Sequence, residues 1–98
     1  MEVTLQYFDG CPWWQTTDQR LRQLAHEFEV DVTYRKVETP KVAEELSFRG
    51  SPTILVDGRD QFAQGDEPVG LSCRIYQTPD GPAGSPTLDQ LREVLRAG

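Results

Sequence analysis

A chain of 98 residues with ten basic and sixteen acidic side chains carries a net charge of −6. The charge is spread along the chain, which excludes the basic face that nucleic-acid binding requires. The length suits one domain with no separate regulatory unit. No run approaches the roughly 18 apolar residues of a membrane span, and MEVTLQYF lacks a basic segment and a long apolar core, so the expectation is a cytoplasmic protein without a nucleic-acid or membrane partner.

In chain order, Val3 to Phe8 is rich in strand formers, with Val3, Leu5 and Tyr7 as apolar positions, and reads as a buried strand. After Asp9-Gly10, Pro12 suits the first turn of a helix. Leu21, Leu24, Ala25 and Phe28 then recur at the spacing of one helical face. Trp14 lies one heptad before Leu21 and shares that face; Trp13 is rotated away from it, toward the surface. Val30 to Val37 alternates Val30, Val32 and Tyr34 against Asp31, Thr33 and Arg35, the pattern of a half-buried strand. Thr39-Pro40 opens a short helix with Val42, Ala43, Leu46 and Phe48 on its apolar side, ended by Gly50. Thr53 to Val56 is a strand closed by the turn Asp57-Gly58. The polar segment Arg59 to Gly70 reads as an extended loop and Leu71 to Thr78 as a fourth strand. After PDGPAGSP, Thr87 to Ala97 places Leu88, Leu91, Val94 and Leu95 on one helical face, with Ser85 as the expected N-cap and Pro86 at the first helical position.

The order β-α-β-α-β-β-α predicts an α/β fold. Strands joined by a helix form a right-handed parallel pair and strands joined by a short loop an antiparallel one. The sum is a four-stranded mixed sheet flanked by helices on both faces.

Cys11 and Cys73 are 62 positions apart, and in a reducing compartment a structural disulfide between them is not the default. With one histidine, His26, and no closely spaced cysteine pair, no metal site is expected. Cys11 stands where a strand gives way to a helix. There the unpaired backbone N–H groups and the helix dipole favour a thiolate, the nucleophilic form of the side chain. Asp9, two residues earlier, acts in the opposite sense if it lies close. The alternative for Cys11 is a small, inert core residue.

Two motifs add a resemblance. GCPWW, residues 10–14, is similar to the active-site segment of the thioredoxin-like superfamily, with Cys11 in the place of the nucleophile. RGSPT, Arg49 to Thr53, resembles the Arg-Gly-X-Pro-Thr segment of thioredoxins. The resemblance implies a thioredoxin-like fold over nearly the whole chain and a cis bond at Ser51-Pro52. That bond would set the Ser51 backbone beside Cys11, where its N–H and C=O pair with an incoming peptide or glutathione in a strand-like manner. Trp14 departs from the family pattern, because the dithiol members carry a resolving cysteine at that position. What the resemblance then implies is monothiol chemistry, with resolution by an external thiol such as glutathione and no resident cofactor.

Around Cys11, Trp13 is placed to stack on a ligand or to shield the thiol, while Trp14 fills core volume. Arg49 and Arg74 are candidates for a ligand carboxylate, with a solvated surface role as the alternative for both. Cys73 is the candidate second thiol. Set back along the fourth strand, it meets Cys11 only if the strand is shifted or a loop folds over; otherwise it is a buried, inert cysteine. The reading is thiol-disulfide exchange through Cys11 with a protein or low-molecular-weight thiol or disulfide as partner. Two alternatives stand beside it: a non-catalytic module binding a peptide or protein between Trp13, Pro52 and the 79–84 turn, and soft-metal capture by Cys11 and Cys73.

Overall fold

The computed structural model describes residues 1–65 and 67–97. The chain forms β1 (Glu2–Tyr7), α1 (Trp13–Phe28), β2 (Asp31–Lys36), α2 (Pro40–Glu45), β3 (Thr53–Val56), β4 (Tyr76–Thr78), β5 (Gly81–Ala83) and α3 (Leu88–Ala97). It is a mixed α/β protein. β1 lies at the centre of a three-stranded sheet of order β2-β1-β3, parallel to β2 and antiparallel to β3. The register sets Leu5 against Ile54 and Val3 against Val56. Because strand side chains alternate between faces, these four fall on one side. There they are sealed under Leu21 and Leu24 of α1 and Leu91 and Leu95 of α3.

Three expectations are corrected. The sheet has three strands, since β4 pairs only with β5 as a separate hairpin. The expected strand Leu71 to Thr78 is regular only at its end. Beyond Gly58 the chain turns back, setting Phe62 against Tyr76 and Asp60 against Arg74. Residues 72–74 meet Ser51, ahead of β3, in an isolated bridge and do not pair along β3. Val37, Ala43 of α2 and Phe48 form a second cluster with Phe8 and Val42, across the sheet from the face that α1 and α3 share, since strand alternation turns Phe8 and Val37 away from the side of Val3 and Leu5. On the side of this cluster, Thr4 and Thr33 pair their hydroxyls at the surface, 3.2 Å apart. Tyr34, expected inward, is exposed on edge strand β2 and donates its hydroxyl to Asp18 Oδ1 at 2.6 Å.

The capping of α3 also differs. Thr87 Oγ1 accepts from the Gln90 N–H at 3.1 Å and Gln90 Oε1 from the Thr87 N–H at 2.9 Å, a reciprocal box that makes Thr87 the cap in place of Ser85. Ser85 is buried and its hydroxyl pairs with that of Thr17 on α1 at 2.6 Å. This polar pin fastens the start of α3 to α1.

Candidate functional site: a thiol pair at Ser51

Cys11 lies between Gly10 and Pro12, and α1 begins at Trp13 with Pro12 as its cap. The Cys11 N–H closes the turn onto the Phe8 carbonyl at 3.3 Å. Its thiol donates to the Ser51 carbonyl at 3.4 Å. The Ser51-Pro52 peptide bond is cis, and both residues are buried. The strand end, the helix start and the segment before β3 thus converge on one sulfur.

Cys11 itself is wholly buried, at 0% exposure. Beside it, paired with Ser51, runs the chain's own segment 72–74. The Ser51 N–H donates to the Ser72 carbonyl at 2.8 Å and the Ser51 carbonyl accepts the Arg74 N–H at 2.9 Å, so Ser51 and Cys73 form a parallel bridge. The expected openness of the Ser51 backbone to an incoming strand is therefore corrected: the chain fills that position itself. The segment is the folded-over loop that a meeting of the two cysteines required. Both cysteines are free thiols, Cys11 buried and Cys73 exposed. Hydrogen bonding with the Cys11 side chain is the largest of the causes, ahead of burial and the Cys11 charge, that push the Cys73 thiol up to about 11.

Cys73 opens on its other side into a cavity of about 390 Å³ lined also by Phe62, Arg49, Glu67, Arg74 and Tyr76. Arg49 does reach this cavity, but its guanidinium meets Glu67 Oε1 at 3.3 Å. The Gln64 and Gly65 N–H groups donate to the same carboxylate, and such bonds, that from Gln64 foremost, hold it below the usual glutamate range against the effect of burial. Arg74 is buried and paired with Asp60, so neither arginine is a free cation awaiting a ligand carboxylate, and the surface alternative for Arg74 is corrected.

Trp13 is 46% exposed and lies over Gly84: a Cβ built on Gly84 would come 2.2 Å from Trp13 Cγ. Trp14 is half-buried, packs against the core and stacks on Tyr7 with ring centroids 4.2 Å apart. Asp9 is bound by Lys36 at 2.6 Å; that hydrogen bond raises the Lys36 ammonium. His26 is exposed. Among the described residues no group of three or more His, Cys, Asp or Glu is placed to hold a metal ion, and no helix is long and apolar enough to cross a membrane.

Nothing in the sequence singles out Asp60 or Tyr76. Asp60 follows the Asp57-Gly58 turn in a run that reads as solvated loop, and only a buried basic partner distinguishes it. In comparisons with known proteins, no family model matches the chain, and neither does any curated protein or solved structure.

Proposed function

We propose that this is a thioredoxin-like protein that carries out thiol-disulfide exchange through Cys11, with Cys73 as the second thiol. The observation that supports this most is the convergence of both cysteines on Ser51: Cys11 through its hydrogen bond to the carbonyl, Cys73 through the backbone bridge. The sheet order β2-β1-β3 and the cis Ser51-Pro52 bond accord with the fold part of the reading. The resolving thiol comes from a different segment than the position taken by Trp14.

The chemistry balances with an external disulfide RSSR as oxidant. The Cys11 thiolate attacks one sulfur, the S–S bond breaks, and RS⁻ leaves and takes up a proton. Cys73 then loses its proton to solvent and attacks the Cys11 sulfur. A second RS⁻ departs, leaving a Cys11-Cys73 disulfide; RSSR has been reduced to two RSH. The order of events has a built-in logic. While Cys11 is free, its side chain helps to keep the Cys73 thiol protonated. Once Cys11 is tied in a mixed disulfide it can carry no charge and is a poorer acceptor, so Cys73 becomes a better nucleophile at the step that needs one.

The test is native-state reaction with a chromogenic aromatic disulfide. The wild type is expected to release two equivalents of aromatic thiol per chain and retain no adduct. Cys73→Ser is expected to release one and retain the adduct. A wild-type protein that keeps an aromatic adduct on both cysteines, or reacts only when unfolded, would overturn the reading.

The thiol pairing also favours a second reading, capture of a soft metal ion, since thiolate ligands select such ions. Mercuric-ion titration distinguishes it: undiminished affinity in the Cys11→Ser/Cys73→Ser variant would remove it.

A further inference from the structure

Arg74, the residue after Cys73, carries a charge into the interior and is 4% exposed. Its guanidinium grips Asp60 with both arms, Nη1 to Oδ2 at 2.7 Å and Nη2 to Oδ1 at 3.2 Å, and Nη1 also reaches Thr53 Oγ1 at 3.4 Å. Its Cζ lies 4.8 Å from the centroid of the Tyr76 ring, and the Tyr76 hydroxyl donates to the Pro52 carbonyl. Burial opposes the charge on Arg74, and hydrogen bonding to Asp60 leads the effects that keep its pKa raised nonetheless. The backbone of the same residue donates to the Ser51 carbonyl, the carbonyl to which Cys11 also donates. Gly50 fits closely against it: at φ +106°, a Cβ there would come within 2.9 Å of Arg74 Cβ. The side chain of Arg74 is thus locked to the 59–70 loop while its main chain lays residues 72–74 along Ser51, beside Cys11.

Resting on the reading of Cys11 as the reacting thiol, we propose that the Asp60–Arg74 pair is a clasp whose two members are positioning residues: closed, it presents Cys73 to Cys11 and seals the site; open, it exposes Cys11 and the Ser51 backbone together. A bidentate arginine-carboxylate pair is directional as well as charged. It therefore fixes where the 72–74 segment lies as well as that it stays near. The strand-like position beside Ser51 is one that an extended peptide would otherwise fill. An external disulfide reaches Cys11 only when the segment lifts.

The test takes two forms. In a Cys73→Ser background, so that Cys11 alone reports, Arg74→Met and Asp60→Asn are compared for iodoacetamide labelling of the folded protein, with circular dichroism confirming the fold. Met fills the arginine's volume, and the Asp60 carboxylate that it leaves without its cation keeps 15% of its surface in solvent. At least tenfold faster labelling is expected in both. In chains that keep both cysteines, loosening the segment lowers the effective concentration of Cys73 at Cys11. A tenfold fall raises the reduction potential of the pair by about 30 mV, a readout that a merely structural role would leave alone. Independently of any variant, the Ser51 and Arg74 amides of the wild type should exchange with solvent deuterium together, at a lower opening free energy than the β1 core.

Unchanged labelling and potential in folded Arg74→Met, or Ser51 and Arg74 amides that exchange only with global unfolding, would overturn the clasp. If the wild type forms no internal disulfide, the exchange reading fails, while labelling of the single-thiol chains still decides the clasp.

Discussion

Removing the Cys11 sulfur should make Cys73 react faster near neutrality and slower in strong base. Cys11 is the source of the hydrogen bond that leads in pushing the Cys73 thiol from its ordinary 9.0 to about 11. At pH 8 a thiol titrating at 11 is about 10⁻³ thiolate, and one titrating at 9 about 10⁻¹, so Cys11→Ala raises the thiolate by at most about a hundredfold. Intrinsic nucleophilicity falls with pKa along a Brønsted slope of roughly 0.45, which over two units cancels about eightfold of this. The net limit is about tenfold. Because burial also contributes and remains in the variant, the expected acceleration at pH 8 lies between about threefold and tenfold. Above pH 11, where both thiols are ionised, the lower nucleophilicity of the variant's thiolate reverses the order. The assay is stopped-flow alkylation of Cys73 by iodoacetamide from pH 7 to 12, comparing Cys11→Ala with the wild type and locating the label by peptide mapping. Superimposable profiles would refute the reasoning, since Cys11 would then have no hold on the Cys73 proton.

Three further outcomes are expected. Gly84→Ala drives a Cβ into the Trp13 ring, so it should cost about 1–3 kcal/mol of stability by overpacking and shift the tryptophan emission; unchanged denaturant unfolding would contradict this. Trp14→Ala removes a half-buried ring stacked on Tyr7 and packed against the core. It should cost about 2–3 kcal/mol, below the roughly 3–5 kcal/mol of a fully buried tryptophan, as read by urea unfolding. Asp9→Asn breaks an exposed pair with Lys36, worth less than about 1 kcal/mol; it should leave both the unfolding midpoint and the Cys73 alkylation profile in place, and a shifted profile would mean that Asp9 acts on the thiols after all.

How far the sequence could be read is clearest in the segment 71–76. It reads as part of a strand, and in it Leu71, Cys73 and Ile75 alternate with Ser72, Arg74 and Tyr76. Hydropathy assigns the first set inward, yet Ile75 is 61% exposed while Arg74 and Tyr76 are buried at 4% each. From Cys73 on the sides are the reverse of what hydropathy assigns, because Asp60 supplies the partner that lets Arg74 enter the interior. Sequence proximity gave no hint of that ion pair. By contrast, the inward Trp14 and outward Trp13 follow from helical periodicity alone. For the cap of α3, Ser85-Pro86 and Thr87 offer equally good local patterns, and the burial of Ser85 against Thr17 decides for Thr87. Local rules thus placed the elements, and long-range polar pairs placed the second thiol.

The most direct measurement of the central claim is redox equilibration of the purified wild-type chain in graded mixtures of reduced and oxidised glutathione, quenched with acid and mapped by mass spectrometry. The account predicts a single two-electron transition from two free thiols to a Cys11-Cys73 crosslink, with glutathione adducts remaining minor at every ratio. Persistent glutathione adducts on Cys11 or Cys73, with no crosslink at the most oxidising ratio, would contradict it.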